Sequence, residues 1–368
     1  MALTLHGTVS DNTAVLSRQN AKPLIINGDM RINQRGTVTG IVNPGGYTLD
    51  RIRADIRGGF GVQVAQSTDV PSGYGFGNSL KLDVTTADTS PDANGLLLLG
   101  YHFEGQDVQL LKYGTSSAET TTVAFWIKSN KTGTFQCNLR MADAYNIGQL
   151  VTISSANTWE KKVITFVGNT SNAMANDNSD ELRIQFFFDA GSDHEGGGVP
   201  SSWAAVSATK DYNGSIDLGD NTANEVLITG IQMEVGEFDV NSIAPFQHEL
   251  FGDSLLRCQR YFQKSYDYDV APGTSGTIVG SVATNNMAST GNYVPFWHCK
   301  FTTEMRDNPT VTTFDYSGNS GKVNGPSNAS ITSVLVAIGM SGFNVYNGSG
   351  SSVSGGDYYC SFKAESEL

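Results

Sequence analysis

The sequence predicts an all-β protein: an antiparallel jelly-roll β-sandwich, then a short helix, then a second, smaller β-sandwich. Composition, a strand-length rhythm and a single break in that rhythm carry the prediction. Only 16% of the 368 residues are Asp, Glu, Lys or Arg, and Gly occurs 41 times, whereas an average globular protein is roughly 25% charged. Helices draw on Glu, Lys, Arg and Ala for their solvent faces. Short strands joined by turns use Thr, Ser, Asn and Gly, which this chain supplies.

Taken in order, residues 1–21 scatter Leu3, Leu5, Val9, Val15 and Leu16 among polar residues and cannot bury a core of their own, so an arm that orders on a partner is expected. From 22 to 248 short alternating segments follow one another: Gly61 to Gln66, Ser79 to Val84, Thr121 to Lys128, Phe135 to Met141, Trp159 to Val167, Leu182 to Phe188 and Val226 to Val235. Turn-rich clusters such as Pro71 to Asn78, Asn169 to Asp180 and Ser192 to Ser202 separate them, the rhythm of an antiparallel sandwich rather than of βαβ units. About nine strands in this stretch suit a jelly roll with long loops. In ELFGDSLLRCQRYFQKS, Phe251, Leu255, Cys258 and Phe262 share one helical face, so 249–265 reads as an amphipathic connector helix. Alternation returns over 266–368 in Thr277 to Ala283, Tyr293 to Phe301, Thr310 to Phe314, Ile331 to Ile338, Phe343 to Tyr346 and Tyr358 to Ala364. This implies a distal sandwich whose Ser317 to Ser330 and Asn347 to Gly356 stretches are exposed tips.

The formal net charge is −13 with no basic cluster, which excludes a grip on nucleic acid. Cys137, Cys258, Cys299 and Cys360 are far apart in the chain and match no metal or redox spacing, so buried thiols are expected. The opening MALTLHGTVSDN has no basic region followed by an apolar stretch, and apolar runs such as Leu96 to Leu99 are too short to span a bilayer. No leader, no membrane insertion and synthesis into a cytoplasm are expected.

Catalytic signatures are missing from the sequence. There is no GxSxG, no phosphate-cradling glycine loop and no HExxH, and the histidines, His6, His102, His194, His248 and His298, are dispersed. Two carboxylates brought together by the fold could still cleave a glycosidic bond, and Asp143, Asp189, Asp193 and Glu195 are the candidates. Asp83, Asp88 and Asp92, or Asp177, Asp180 and Glu181, match no calcium loop and read as solvated turns. A non-enzymatic protein without cofactor or metal is expected. Carbohydrate recognition needs aromatic faces beside amide and carboxylate groups. Tyr145, with Asp143 and Asn146 in MADAYNIG, and Trp203 in PSSWAAV are the candidate ligand-binding residues, while Trp126 and Trp159 lie within apolar alternation and read as core.

The stretch PLIINGDMRINQRG followed by YTLDRIRAD resembles the opening of a module common in bacteriophage tail-fibre and other virion appendage proteins. The likeness continues through VAFWIKSNKTGTFQCNLR, WEKKVITFVG and ITGIQMEVGEFD, which resemble carbohydrate-binding-module jelly rolls. FQHELFGDSLLRCQRYFQKSY resembles the helix that ends such modules, and VPFWHCKFTTEMRDNPTVT with YYCSFKAESEL the small β-domain that follows it. Where the family often reads LDRW, this chain carries Ile52. In the opening motif, Gly28 and Gly36 suit turns, and Asp29 and Arg31 suit a local pair.

The resemblance implies a virion protein assembled in the bacterial cytoplasm, commonly a homotrimer, whose β-modules bind a host-surface glycan. Residues 1–21 would dock to other virion proteins. Independently of the family, a helix stripe at the junction between modules could meet its symmetry mates around a threefold axis. A capsid decoration or head-fibre protein, and a polysaccharide-degrading glycosidase, are the alternatives.

Overall fold

The computed structural model describes residues 22–41, 45–142, 144–206, 212, 214–284, 295–348 and 356–368; the arm expected at 1–21 and the candidate Asp143 lie outside these. The first run of strands is β1 (Val38–Ile41), β2 (Gly46–Tyr47), β3 (Ile52–Arg57), β4 (Gly61–Ser67), β5 (Ser79–Thr86), β6 (Leu96–Glu104), β7 (Thr121–Ser129), β8 (Gly133–Met141), β9 (Tyr145–Ile153), β10 (Glu160–Phe166), β11 (Asp180–Ala190), β12 (Ala204–Ala205) and β13 (Glu225–Val235). They form a six-stranded sheet, β1-β4-β5-β13-β7-β10, and a seven-stranded one, β12-β9-β8-β11-β6-β3-β2, antiparallel throughout. Each of the seven alternating segments read from the sequence falls on one of these strands.

The two sheets bury one core between them. Phe125 and Ile127 of β7 meet Phe135 of β8 and Phe186 of β11, and the Phe125 and Phe186 rings pack edge to face with centroids 4.9 Å apart, a favoured aromatic geometry. Strands β1, β2, β3, β6, β9 and β12 fall outside those segments, and of these β6 is buried along its whole length. A strand covered on both faces is apolar without alternating, so it lacks the period-2 signal.

The helix, α1, spans Phe251–Gln259, shorter than the 249–265 expected, because Phe262 belongs to a strand, β14 (Phe262–Lys264), that pairs with the C-terminal strand. The middle of its stripe is covered by its own chain, Cys258 and Leu255 packing with Ile26, Ile32 and Tyr261, while Phe251 at its start stays 43% exposed.

The opening motif turns out to be the other side of this junction. Arg51 is fully buried; it ion-pairs with Glu367, donates to the His102 carbonyl at 2.6 Å and lies 3.5 Å from the centre of the Tyr261 ring. Gln34 donates to Asp50 at 2.6 Å, and Arg35 pairs with Glu367 at 3.0 Å. Arg260 grips Glu104 with bonds of 2.8 and 2.7 Å, and the Tyr261 hydroxyl donates to the same carboxylate at 2.5 Å. These bonds hold Glu104 below the usual carboxylate range although burial opposes them. Buried charges persist only when paired and hydrogen-bonded, so NQRG and LDR read as a structural joint. Asp29 and Arg31 do pair, at 3.5 Å. Gly28 lets the Ile231 carbonyl approach where a Cβ would lie 2.2 Å away, and Gly36 sits at φ +75°.

The remaining strands, β15 (Val282–Thr284), β16 (Pro295–Lys300), β17 (Thr310–Phe314), β18 (Lys322–Asn324), β19 (Ser330–Gly339), β20 (Gly342–Asn347) and β21 (Tyr358–Glu365), surround a separate core built on Phe343, Val345, Cys360 and Phe362. One half of β21 pairs with β15 and β18, the other with β14 and β17. The segment Thr277 to Ala283 contributes strand only from Val282. Ser317 to Ser330 is exposed at 317, 319–321 and 327–330, but it contains β18, and the Asp315 carboxylate ties it down by accepting from Ser317 N, Asn319 N and Ser330 Oγ. Of Asn347 to Gly356, residues 349–355 lie outside the described residues. All four cysteines are free and buried, and burial pushes the Cys299 thiol up to about 12.

Candidate functional site: an aromatic groove on the six-stranded sheet

Alternation along β7 sends Phe125 and Ile127 inward and therefore Ala124, Trp126 and Lys128 outward. Trp126, expected in the core, is half-buried on the outer face, because a strand's phase is set by which set of alternate residues fills the core. Lys161 of β10 and Thr229 of β13 are its direct cross-strand neighbours on that face. Beyond Thr229 the register of β13 shifts at a bulge, where Gly230 has φ +63°. A Cβ there would lie 2.6 Å from Phe76 and 3.1 Å from Trp126, so only glycine allows both rings against the strand.

The walls come from two loops. Tyr74, 55% exposed, sets its ring 4.3 Å from that of Trp126. On the other side Gln232 Nε2 donates to the Ala244 carbonyl at 3.0 Å, holding the segment after β13 along the sheet. Phe246 then lies 5.2 Å from Phe76, and His248 lies 4.9 Å from Phe246, ring centre to ring centre. The result is a groove of about 430 Å³ lined by Tyr74, Trp126, Lys161, Gln232, Phe246 and His248, with His248 Nε2 3.3 Å from the Tyr74 carbonyl. Trp159, also expected in the core, is half-buried beside this face and donates its indole N–H to Asp69 at 2.9 Å. The bond from Lys128 to the same carboxylate holds Asp69 below its ordinary range.

The outer face of the seven-stranded sheet is built differently. Arg183 and Arg140, then Gln185 and Asn138, then Phe187 and Gln136 face each other across β11 and β8. Tyr212 stacks on Phe187 with ring centres 3.5 Å apart and interplanar angle 27°, and Gly148 N donates to the Pro200 carbonyl at 2.8 Å. Residues following β11 thus cover this face, and Asn138, Gln136 and Asn146 are buried.

The residues singled out in the sequence fall at that sheet's edge, where Asn146 and Tyr145 pair with Ala204 and Ala205. Tyr145 and Trp203 are half-buried against the main core, whereas Asn146 is buried on the opposite side of the strand. The Trp203 indole donates to the Val167 carbonyl at 2.7 Å, with its ring 5.5 Å from Tyr113.

Among the candidate acids, Asp189 is buried and accepts from Gly219 N at 2.8 Å; burial, with Asp217 and Glu195 nearby, pushes its carboxyl up to about 7. It closes the turn before β13 from the core side. Asp180 is held low by hydrogen bonds to His102 and Arg183, each 2.8 Å, and Asp83 pairs with Lys81 at 2.9 Å. Among the described residues no group of three His, Cys, Asp or Glu is arranged to hold a metal ion, and no helix there is long and apolar enough to cross a membrane. The groove residues Tyr74, Phe76, Lys161, Gln232, Phe246 and His248 were not legible as a site. The one local signal was two aromatics inside the glycine-rich turn PSGYGFGN.

No protein-family model and no curated protein matches the chain. Solved structures that overlap it in part include the enzymatically active domain of tailspike protein 4 of bacteriophage CBA120, 11% identical over 58% of this chain with TM-score 0.29. This chain spans 21% of the length of that one. Two others are a putative sugar binding protein from Bacteroides thetaiotaomicron, 11% identical over 58% of this chain and 100% of its own with TM-score 0.32, and a family 11 carbohydrate-binding module from Clostridium thermocellum in complex with a mixed-linked tetrasaccharide, 10% identical over 56% and 98% with TM-score 0.28. The jelly-roll assignment rests on this chain's own strand pairing.

Proposed function

We propose that this chain is a non-enzymatic bacteriophage virion appendage protein that binds a host-surface glycan through the aromatic groove. The observation that carries the reading is the groove itself: flat rings of Trp126 and Tyr74 beside Gln232 and Lys161 in an open volume of about 430 Å³. Sugar rings offer C–H faces to aromatics and hydroxyls to amides and ammonium groups, and pockets with few polar groups among rings suit them. The virion assignment is supported by the likeness of PLIINGDMRINQRG and LDR to phage appendage modules, in which these residues here form the joint around Arg51. In this reading residues 1–21 dock to other virion proteins, and several copies on one particle, as a homotrimer, convert weak single contacts into avidity.

Adsorption of the purified protein to host cells tests this. Trp126→Ala is expected to abolish cell binding, on the order of a hundredfold or more, with the fold intact by circular dichroism. A chain lacking residues 1–21 is expected to keep cell binding and lose binding to particles depleted of this protein. Unchanged cell binding by Trp126→Ala would remove the groove from the reading. Retention on the particle with no binding to cells by any variant would support the capsid-decoration alternative. Release of oligosaccharide from intact polymer, lost in Asp189→Asn, would support a glycosidase instead.

A further inference from the structure

The six-stranded sheet carries several lysines, and all but one are neutralised. Lys81 pairs with Asp83 and Glu225 at 2.9 and 2.7 Å, Lys128 with Asp69 at 2.6 Å, and Lys162 with Glu160 at 2.5 Å. Lys161 has no carboxylate within ion-pair distance among the described residues, yet it is half-buried and lines the groove directly opposite Trp126. Among the described residues no Asp or Glu lines the groove, although the chain has 36 acidic residues against 23 Lys and Arg. Another titratable wall residue, His248, has Asp29 at 3.7 Å. An ammonium partly removed from water without a counter-charge is costly, and burial lowers the Lys161 pKa with nothing to offset it. A ligand anion placed there would supply the missing partner, and charge-assisted hydrogen bonds are the stronger ones.

We propose that the groove selects an acidic glycan, with Lys161 taking the carboxylate or sulfate of a sugar whose ring lies against Trp126 and Tyr74. The inference rests on the glycan-binding reading and narrows it to one ligand class. Cross-strand neighbours sit about 5 Å apart at Cβ, so one pyranose can touch the indole and place an equatorial acid group at the ammonium.

The test is affinity electrophoresis of the full chain against polygalacturonate, alginate, polysialate, hyaluronan and chondroitin sulfate, each beside its carboxyl-reduced or desulfated form. The expected result is retardation by at least one acidic polymer that weakens roughly ten- to a hundredfold on neutralising the polymer, and equally in Lys161→Gln. Lys161→Arg should restore much of it, and the melting temperature of Lys161→Gln should stay level or rise, because no native ion pair is lost. Equal retardation by acidic and neutralised forms, with Lys161→Gln unchanged but Trp126→Ala abolished, would overturn the charge inference and leave glycan binding standing. No retardation by any polymer in either form would overturn both.

Discussion

The two outer faces of the sandwich enclose one core and meet water in opposite ways. On the six-stranded sheet, Trp126, Lys161 and Tyr74 stand open around a groove. On the seven-stranded sheet, a comparable set of polar and aromatic side chains, Gln185, Asn138, Arg140 and Phe187, lies beneath Tyr212 and the loop that carries Pro200. Both faces obey the same alternation. The difference lies in where long connections fall: the one after β11 crosses its sheet, while the one after β13 is held at the side by Gln232. Among the described residues of the two outer faces, the exposed aromatic patch lies on the six-stranded sheet, and such patches mark interaction surfaces.

The sharpest way to break this comparison is on the covered face. Phe187→Ala is expected to destabilise the protein by about 3–5 kcal/mol, because the ring is buried and stacked under Tyr212. Urea unfolding measures it, and a cost below about 1 kcal/mol would mean that the cover is loose and the polar face is open to ligands. Next comes Asp189. Its folded pKa, about 7, lies above its ordinary value, so its contribution is fully favourable below about pH 4 and is lost as pH rises through 7. Glu104 and Asp180, held low, act oppositely, their contribution being present above the usual carboxylate range and lost on acidification. Asp189→Asn is expected to flatten stability between about pH 4 and 7 and to stabilise the chain at pH 8 by a few kcal/mol, about 2–4. Melting curves across that range check it.

Two smaller effects sharpen the distinction between the faces. Gly230→Ala places a Cβ against Phe76 and Trp126 at positive φ, with an expected cost of about 1–2 kcal/mol and loss of glycan binding through a displaced Trp126. Tyr145→Ala and Trp203→Ala, both half-buried at the core edge, are expected to cost about 1–2 kcal/mol each and to leave cell binding unchanged. Loss of binding at wild-type stability in either would move the ligand site to the β9–β12 edge.

Legibility in the sequence followed the physics of each element. The seven segments read as strands fall on β4, β5, β7, β8, β10, β11 and β13; alternation of burial is plain in β5, whereas β11 and β13 are buried at nearly every residue and were found from their strand length between turn-rich clusters. Strand β6, buried on both faces, was not, and neither were β3, which does alternate, and β9. The helix was read six residues too long at its C-terminal end because Phe262 keeps the helical spacing while its backbone is claimed by β21. Trp126 was assigned to the core because apolar alternation identifies two faces without saying which aromatic lies on the outer one. Asp189 was singled out in the sequence as a candidate acid, but its raised pKa comes from distant neighbours and burial.

By itself, then, the sequence determined the all-β class, the order of a larger and a smaller β-module with a helix between, the buried thiols and the structural weight of the glycine and arginine motif. Those features depend on local period, turn chemistry and composition, which are written along the chain. Only the tertiary structure decided which outer face stays open, that Lys161 meets no carboxylate among the described residues, and that Arg35 and Arg51 are locked to Glu367 more than 300 residues away in the chain, 332 positions in the Arg35 bond. Burial and pairing of this kind are properties of which surfaces meet, and no local pattern of residues encodes that.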